Sequence, residues 1–241
     1  MAEKTDAIKQ AVESTFVEKV KQVFGDSLHS ILLYGSYVEG NFKKDISDIN
    51  VLIILNKSEY SQISTFGKEC GKLINKYNIT PLLLRKQEFL NSADVFPMEY
   101  MDLVDRYKLL FGEDITGELN LAPNNLRHQL EYHLRGNVNS LRQLITASKG
   151  KTRVLGKNLK TWFGSFLSLF RGLLRLKGVS PIPHNGEDVL LKMKEEFSFD
   201  NAPFQELLDY RNGGDADVEQ LAPKLLTVLQ DLVSTVDSME S

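Results

Sequence analysis

The sequence predicts an α/β domain followed by an all-helical one. Strand-like apolar runs at residues 30–34, 51–55 and 79–84 alternate with helical periodicity in the first half. The strand signal then stops after Asn120, and the second half reads as a series of helices. Two domains are therefore expected, 1–120 and 121–241.

Residues 7–24 set Ile8, Val12, Phe16, Val20 and the Val23-Phe24 pair on one helical stripe, which Gly25-Asp26 ends. Residues 30–34 make a short strand. The run 51–55 is unbroken β-branched and leucine sequence, as in a central strand covered on both faces. Residues 59–77 read as a helix, and 79–84 as a third strand that Pro81 places at an edge or an irregular start. Pro97 suits a first helical position and opens a helix expected to run through Met101, Val104 and Leu109 to Gly112.

Residues 126–148 predict a long helix ended by Lys149-Gly150, and 159–177 a second. The second is apolar almost all round (Trp162, Phe163, Phe166, Phe170, Leu173, Leu174), which places it at the centre of a bundle. Gly164 and Gly172 are expected to admit close neighbours. Pro181 and Pro183 mark a loop, and shorter helices come after it at 188–197, 203–210 and 218–238.

With 42% hydrophobic and 25% charged residues, the chain has the make-up of an ordinary globular protein. The net charge of −3 hides a strong asymmetry. From Arg127 to Lys177 there are eleven basic residues to one acid, and from Glu187 onward four basic residues to thirteen acids. Such a block fits either a phosphate-bearing ligand or neutralisation by the acidic helices. Cys70 is the only cysteine, so no intramolecular disulfide and no cysteine metal cluster is possible. The charged N-terminus lacks a signal-peptide core, and Lys160, Arg171 and Arg175 interrupt the most apolar stretch. A cytoplasmic protein without membrane contact is expected.

The chemistry concentrates between residues 31 and 55. The strand ending in Tyr34 runs into Gly35-Ser36, and Gly40 lies in the polar link beyond. Asp48 then opens the next strand, with Asn50 two residues on. Gly35 lets the backbone turn tightly and approach an anion without a Cβ in the way. The N–H groups of Ser36 and Tyr37, with the Ser36 hydroxyl, suit a terminal phosphate, and Gly40 completes the turn. Asp48 and Asn50 share a strand face because side chains alternate.

This arrangement resembles the nucleotidyltransferase superfamily of the polymerase-β type, whose signature is a Gly-Ser turn followed by Asp-x-Asp at a strand. The resemblance is carried by Tyr34-Gly35-Ser36, Gly40, Ser47-Asp48-Ile49-Asn50 and the apolar run beyond, within about residues 25–112. It implies an N-terminal α/β (α+β) domain with a small mixed sheet. The helical half is similar to the substrate-binding bundle of aminoglycoside-modifying and related small nucleotidyltransferases. The resemblance further implies transfer of a nucleoside monophosphate from a nucleoside triphosphate to a hydroxyl of a small molecule or protein, using Mg²⁺. Asp48 and Asn50 take the catalytic and metal-binding positions, and Gly35, Ser36, Tyr37, Gly40 and Arg135 the nucleotide-binding ones.

The chain departs from that pattern twice. Asn50 is neutral where a second carboxylate is expected, and the strand at 79–84 carries no acid to serve as a third. Losing a general base costs about 10²–10⁴-fold in rate. Weak transfer is therefore expected. The alternative is an inactive nucleotide-binding or protein-interaction module, like the toxin or antitoxin partners built on such folds. Glu99 and Asp102 are candidate replacements or plain solvated residues, and Asp45 reads as a turn residue or cap. Arg127, Glu131 and Arg135 form either a surface charge ladder or, through Arg135, a phosphate contact. Lys149, Lys151, Arg153, Lys157 and Lys160 offer a weak nucleic-acid signal, since no exposed aromatics interleave with them. The four histidines show no metal spacing.

Overall fold

The computed structural model describes residues 7–38, 48–197 and 199–239. The chain divides into two compact units, Met1–Val95 with Glu99–Leu121, and Phe96–Met98 with Ala122–Ser241.

In the first unit a π-helical segment (Ala11–Phe16) runs into α1 (Val17–Phe24), followed by β1 (Leu28–Tyr34), β2 (Ile49–Leu55), α2 (Tyr60–Tyr77) and β3 (Ile79–Arg85). Then come α3 (Lys86–Asn91), α4 (Pro97–Asp105), which belongs to this unit from Glu99 onward, and β4 (Tyr107–Gly112). The strands form one mixed sheet in the order β3-β2-β1-β4. β1 is antiparallel to both neighbours, and β2 is parallel to β3.

β2 shows why residues 51–55 are apolar without a break. Ile49, Val51, Ile53 and Leu55 face a cluster with Val12, Phe16, Val20, Phe24, Phe66 and Cys70. Leu52 and Ile54 face a second cluster with Leu32, Phe89, Tyr100 and Leu103. Both sides of the strand are thus shut off from water. Each such side chain contributes about 1.5–3 kcal/mol by leaving solvent. Burial also pushes the Cys70 thiol up to about 11, so it stays an inert thiol at neutral pH. Pro81 sits on β3, an edge strand, where a missing N–H can face away from the ladder.

The expected helix from Pro97 to Gly112 is corrected. It stops at Asp105, and Tyr107–Gly112 forms the edge strand β4 against β1. The contact with β1 decides this, because the segment is half exposed and has no strong period of its own. Gly112, at φ +83°, permits the pairing, since a Cβ there would lie 1.9 Å from the His29 carbonyl oxygen. The six-residue helix α3 lies outside the helices expected from the sequence.

The second unit holds α5 (Pro123–Ser148), α6 (Thr152–Trp162), α7 (Gly164–Leu176), α8 (Gly186–Phe197), α9 (Ala202–Arg211) and α10 (Val218–Asp237). Lys149 (φ 50°) and Gly150 (φ 72°) end α5 in left-handed conformations. The single helix expected at 159–177 is two helices, and the first begins at Thr152. Phe163 keeps helical dihedrals, yet the Phe166 N–H bonds to its carbonyl three residues back, so the regular ladder is interrupted where Gly164 lowers helix propensity. α7 is nonetheless central, with Phe166, Leu169, Phe170, Leu173 and Leu174 buried. A Cβ on Gly172 would stand 2.7 Å from Leu130 Cδ2, so α7 and α5 approach closely there. Among the described residues no helix is long and apolar enough to cross a membrane.

Candidate functional site

β1 delivers the chain to the site in extended form at Tyr34, and Gly35 turns it with φ +79°. The Gly35 N–H donates to the Arg106 carbonyl (3.3 Å), and the Val38 N–H closes the 3-10 turn Gly35–Tyr37 on the Gly35 carbonyl (3.0 Å). The Ser36 and Tyr37 N–H groups fall between these two bonds, at the start of the helical turn, where an anion is favoured. Tyr37 packs against the buried cluster that covers one sheet face, and so anchors the turn. Burial and the charge of Glu13 push its hydroxyl up. Gly40 lies outside the described residues, as do Asp45, Ser47 and the side chain of Ser36.

At the mouth of β2, Ile49 is fully buried, so Asp48 and Asn50 fall on the opposite face. Asp48 is exposed, and its Oδ1 accepts from Asn78 Nδ2 at 2.5 Å. Asn78 caps α2 in the left-handed region (φ 52°), and its carbonyl accepts the Ile49 N–H at 2.9 Å. It therefore holds the strand mouth and the carboxylate together. The Tyr77-Asn78 helix ending was readable as a cap, but its partner 30 residues away was not.

Asn50 is half-buried, with Tyr34 opposite it on β1 and Thr80 on β3. Its Nδ2 is 3.1 Å from where a Cβ on Gly35 would stand. The structure thus brings Asn50 directly against the glycine corner, while it ties the Asp48 carboxylate toward Asn78. Replacing Gly35 with alanine would put a Cβ in the left-handed region and press on the Asn50 amide. If the turn holds phosphate, affinity should fall by about tenfold, which calorimetry can measure.

The neighbouring tyrosines are neutral. Burial pushes the Tyr34 hydroxyl up, and Tyr107, opposite it on β4, donates to Asp114 Oδ2 at 2.5 Å. Thr116 gives Asp114 Oδ1 its N–H (2.9 Å) and its hydroxyl (2.7 Å). Burial raises the Asp114 carboxyl, but these three bonds outweigh it and hold it below the usual carboxylate value. A lowered folded-state pKa means that stabilisation is complete above the unfolded value, near 3.9, and fades as pH falls through the folded one. Asp114→Asn should therefore flatten the acid limb of a stability-against-pH curve below about pH 4, as followed by denaturant titration.

Mg²⁺ is commonly held by one or two carboxylates together with substrate phosphates. Among the described residues the strand mouth supplies one carboxylate, Asp48, and one amide, Asn50. On β3 the residues sharing Asn50's face are Thr80, Leu82 and Leu84. Among the described residues no three His, Cys, Asp or Glu side chains gather as a metal site. Among the described residues this donor set fits an ion that also takes ligands from substrate phosphates. Glu99 is exposed on α4 beside the buried Tyr100 and Leu103.

In the second unit Arg135 donates to Glu131 (3.0 Å) and Asp237 (2.6 Å), and Arg127 pairs with Glu131 (3.4 Å). The ladder reading of the sequence describes these contacts. Lys149, Lys151, Arg153 and Lys157 are exposed and form no ion pair among the described residues. Among the described residues the acidic α10 thus pairs through Asp237 with Arg135, while its Glu219 accepts from the Thr152 hydroxyl between Lys151 and Arg153 without an ion pair to either. Lys160 lies over the Tyr210 ring at 3.8 Å.

Residues 13–113 match the nucleotidyltransferase domain family. The chain is 31% identical over 104 residues to a putative protein adenylyltransferase of Methanocaldococcus jannaschii, a match spanning 41% of this chain and 69% of that one. It is also similar to the crystal structure of spectinomycin adenyltransferase AAD(9) from Enterococcus faecialis with ATP and spectinomycin. That likeness has a TM-score of 0.55 at 15% identity and covers 90% of this chain and 98% of that one, so it speaks for the fold.

Proposed function

The chain belongs to the nucleotidyltransferase superfamily, and from that premise we propose that it binds a nucleoside triphosphate, ATP foremost, at the turn Gly35–Tyr37 and slowly transfers its nucleoside monophosphate to a hydroxyl. The observation that supports this is the neutral Asn50 lying against Gly35 beside Asp48. The turn keeps the shape of a phosphate site, while the strand mouth has lost charge. In the reaction the acceptor hydroxyl oxygen bonds to the α-phosphorus as its proton passes to water, the bond to the bridging oxygen breaks, and pyrophosphate leaves with the electron pair. The Ser36 and Tyr37 N–H groups orient the phosphates, and Asp48 is the carboxylate available to the reacting groups. A Mg²⁺ ion arriving with the nucleotide would be held by Asp48 and would supply positive charge to the transferring group.

The absence of an acid on Asn50's face of β3 favours a second reading, in which the nucleotide is bound and not turned over. One relative is named for protein acceptors and the other was crystallised with spectinomycin, so both acceptor classes are worth offering. Calorimetry with each nucleoside triphosphate tests binding. ATP labelled on its α-phosphate tests transfer, read as label on an acceptor together with pyrophosphate release. Saturable ATP binding with slow release is expected. Failure of every triphosphate to bind, with and without Mg²⁺, would overturn the proposal.

A further inference from the structure

An amide in place of a charge at position 50 changes what the turn requires of its ligand. Asn50 Nδ2 is the side-chain atom nearest the position a Gly35 Cβ would take, at 3.1 Å. Its cross-strand neighbours, Tyr34 and Thr80, are uncharged. Among the described residues no group hydrogen-bonds the Asn50 amide, while the nearby Asp48 carboxylate accepts from Asn78. The amide is thus a partly buried donor that has no hydrogen-bond partner among the described residues and is set against the glycine corner that suits an anion.

A carboxylate there would repel a triphosphate unless a divalent cation stood between them. An amide of the same shape removes that repulsion and adds two N–H donors. We propose that Asn50 donates to a terminal phosphate oxygen of the bound nucleotide, so that this site takes the triphosphate without a divalent metal. The inference rests on the phosphate-binding reading of the turn and goes beyond it by assigning the residue that frees binding from the ion. Binding and turnover are then separable. The nucleotide is held by neutral donors, and the cation matters only to transfer.

The test is calorimetry with ATP at fixed ionic strength, in EDTA and in excess MgCl₂, on the native chain and on Asn50→Asp. The aspartate is isosteric, and a circular-dichroism melt checks that the variant is folded. The native chain should bind ATP with dissociation constants within about threefold of each other in the two buffers. Asn50→Asp should bind at least about tenfold more weakly in EDTA, the worth of one hydrogen bond to a charged group, and recover in Mg²⁺. A native chain that binds ATP only with Mg²⁺, or an aspartate variant equal to it in EDTA, would overturn the inference and leave the proposed function standing. A native chain that binds in neither buffer would overturn the proposed function itself.

Discussion

Gly112→Ala should destabilise the first unit by about 3 kcal/mol or more, a large effect for one methyl group. The added carbon would meet the His29 carbonyl oxygen at 1.9 Å and Ser30 Cα at 2.9 Å. Both are backbone atoms of β1, which is hydrogen-bonded to β2 on its other side, so they cannot step aside alone. Alanine would also have to take φ near +83°, where its side chain strains the backbone. The outcome should be loss of the β4 pairing, seen as a lower midpoint in denaturant. Gly67→Ala on α2 is the control. Nothing lies within 4 Å of its Cβ position, so it should gain about 0.5–1 kcal/mol from helix propensity. Equal effects at the two positions would mean that β4 is not seated on β1 in this way.

Asp48→Asn should lower nucleotidyl transfer by at least about 10²-fold, to the uncatalysed background. Its cost in stability should be small, because the side chain is exposed and loses mainly the bond from Asn78. ATP binding measured in EDTA should weaken less than threefold or even tighten, since a negative charge near the phosphates has gone. Transfer unchanged by this substitution would remove Asp48 from the site. Asn50→Asp is the reciprocal experiment on the same assay. It restores a second carboxylate and should raise transfer in Mg²⁺ while making binding depend on the ion.

Much of the fold was legible because it is local. The stripe of Val12, Phe16, Val20 and Phe24 is buried as its spacing predicts, and the unbroken run of β2 is covered on both faces. Pro81 marked an edge strand, and Lys149-Gly150 ended the long helix. Tyr107–Gly112 was not legible. Its strand state depends on a partner almost eighty residues earlier, and half of its side chains meet solvent. The break at Phe163 was hidden for a related reason. Apolar residues on every side carry the same signal through one helix or two.

By itself the sequence determined the order of elements, the glycine corner at Gly35 and the identity of the two side chains at the strand mouth, because these depend on residue type and short-range period. Only the tertiary structure decided what those side chains do. It turned the Asp48 carboxylate to Asn78 from the end of another helix, and laid the Asn50 amide on Gly35 through the pairing of β1 with β2. Hydrogen-bond partners and charge balance are set by groups far apart in the chain, and no local pattern records which of them will meet.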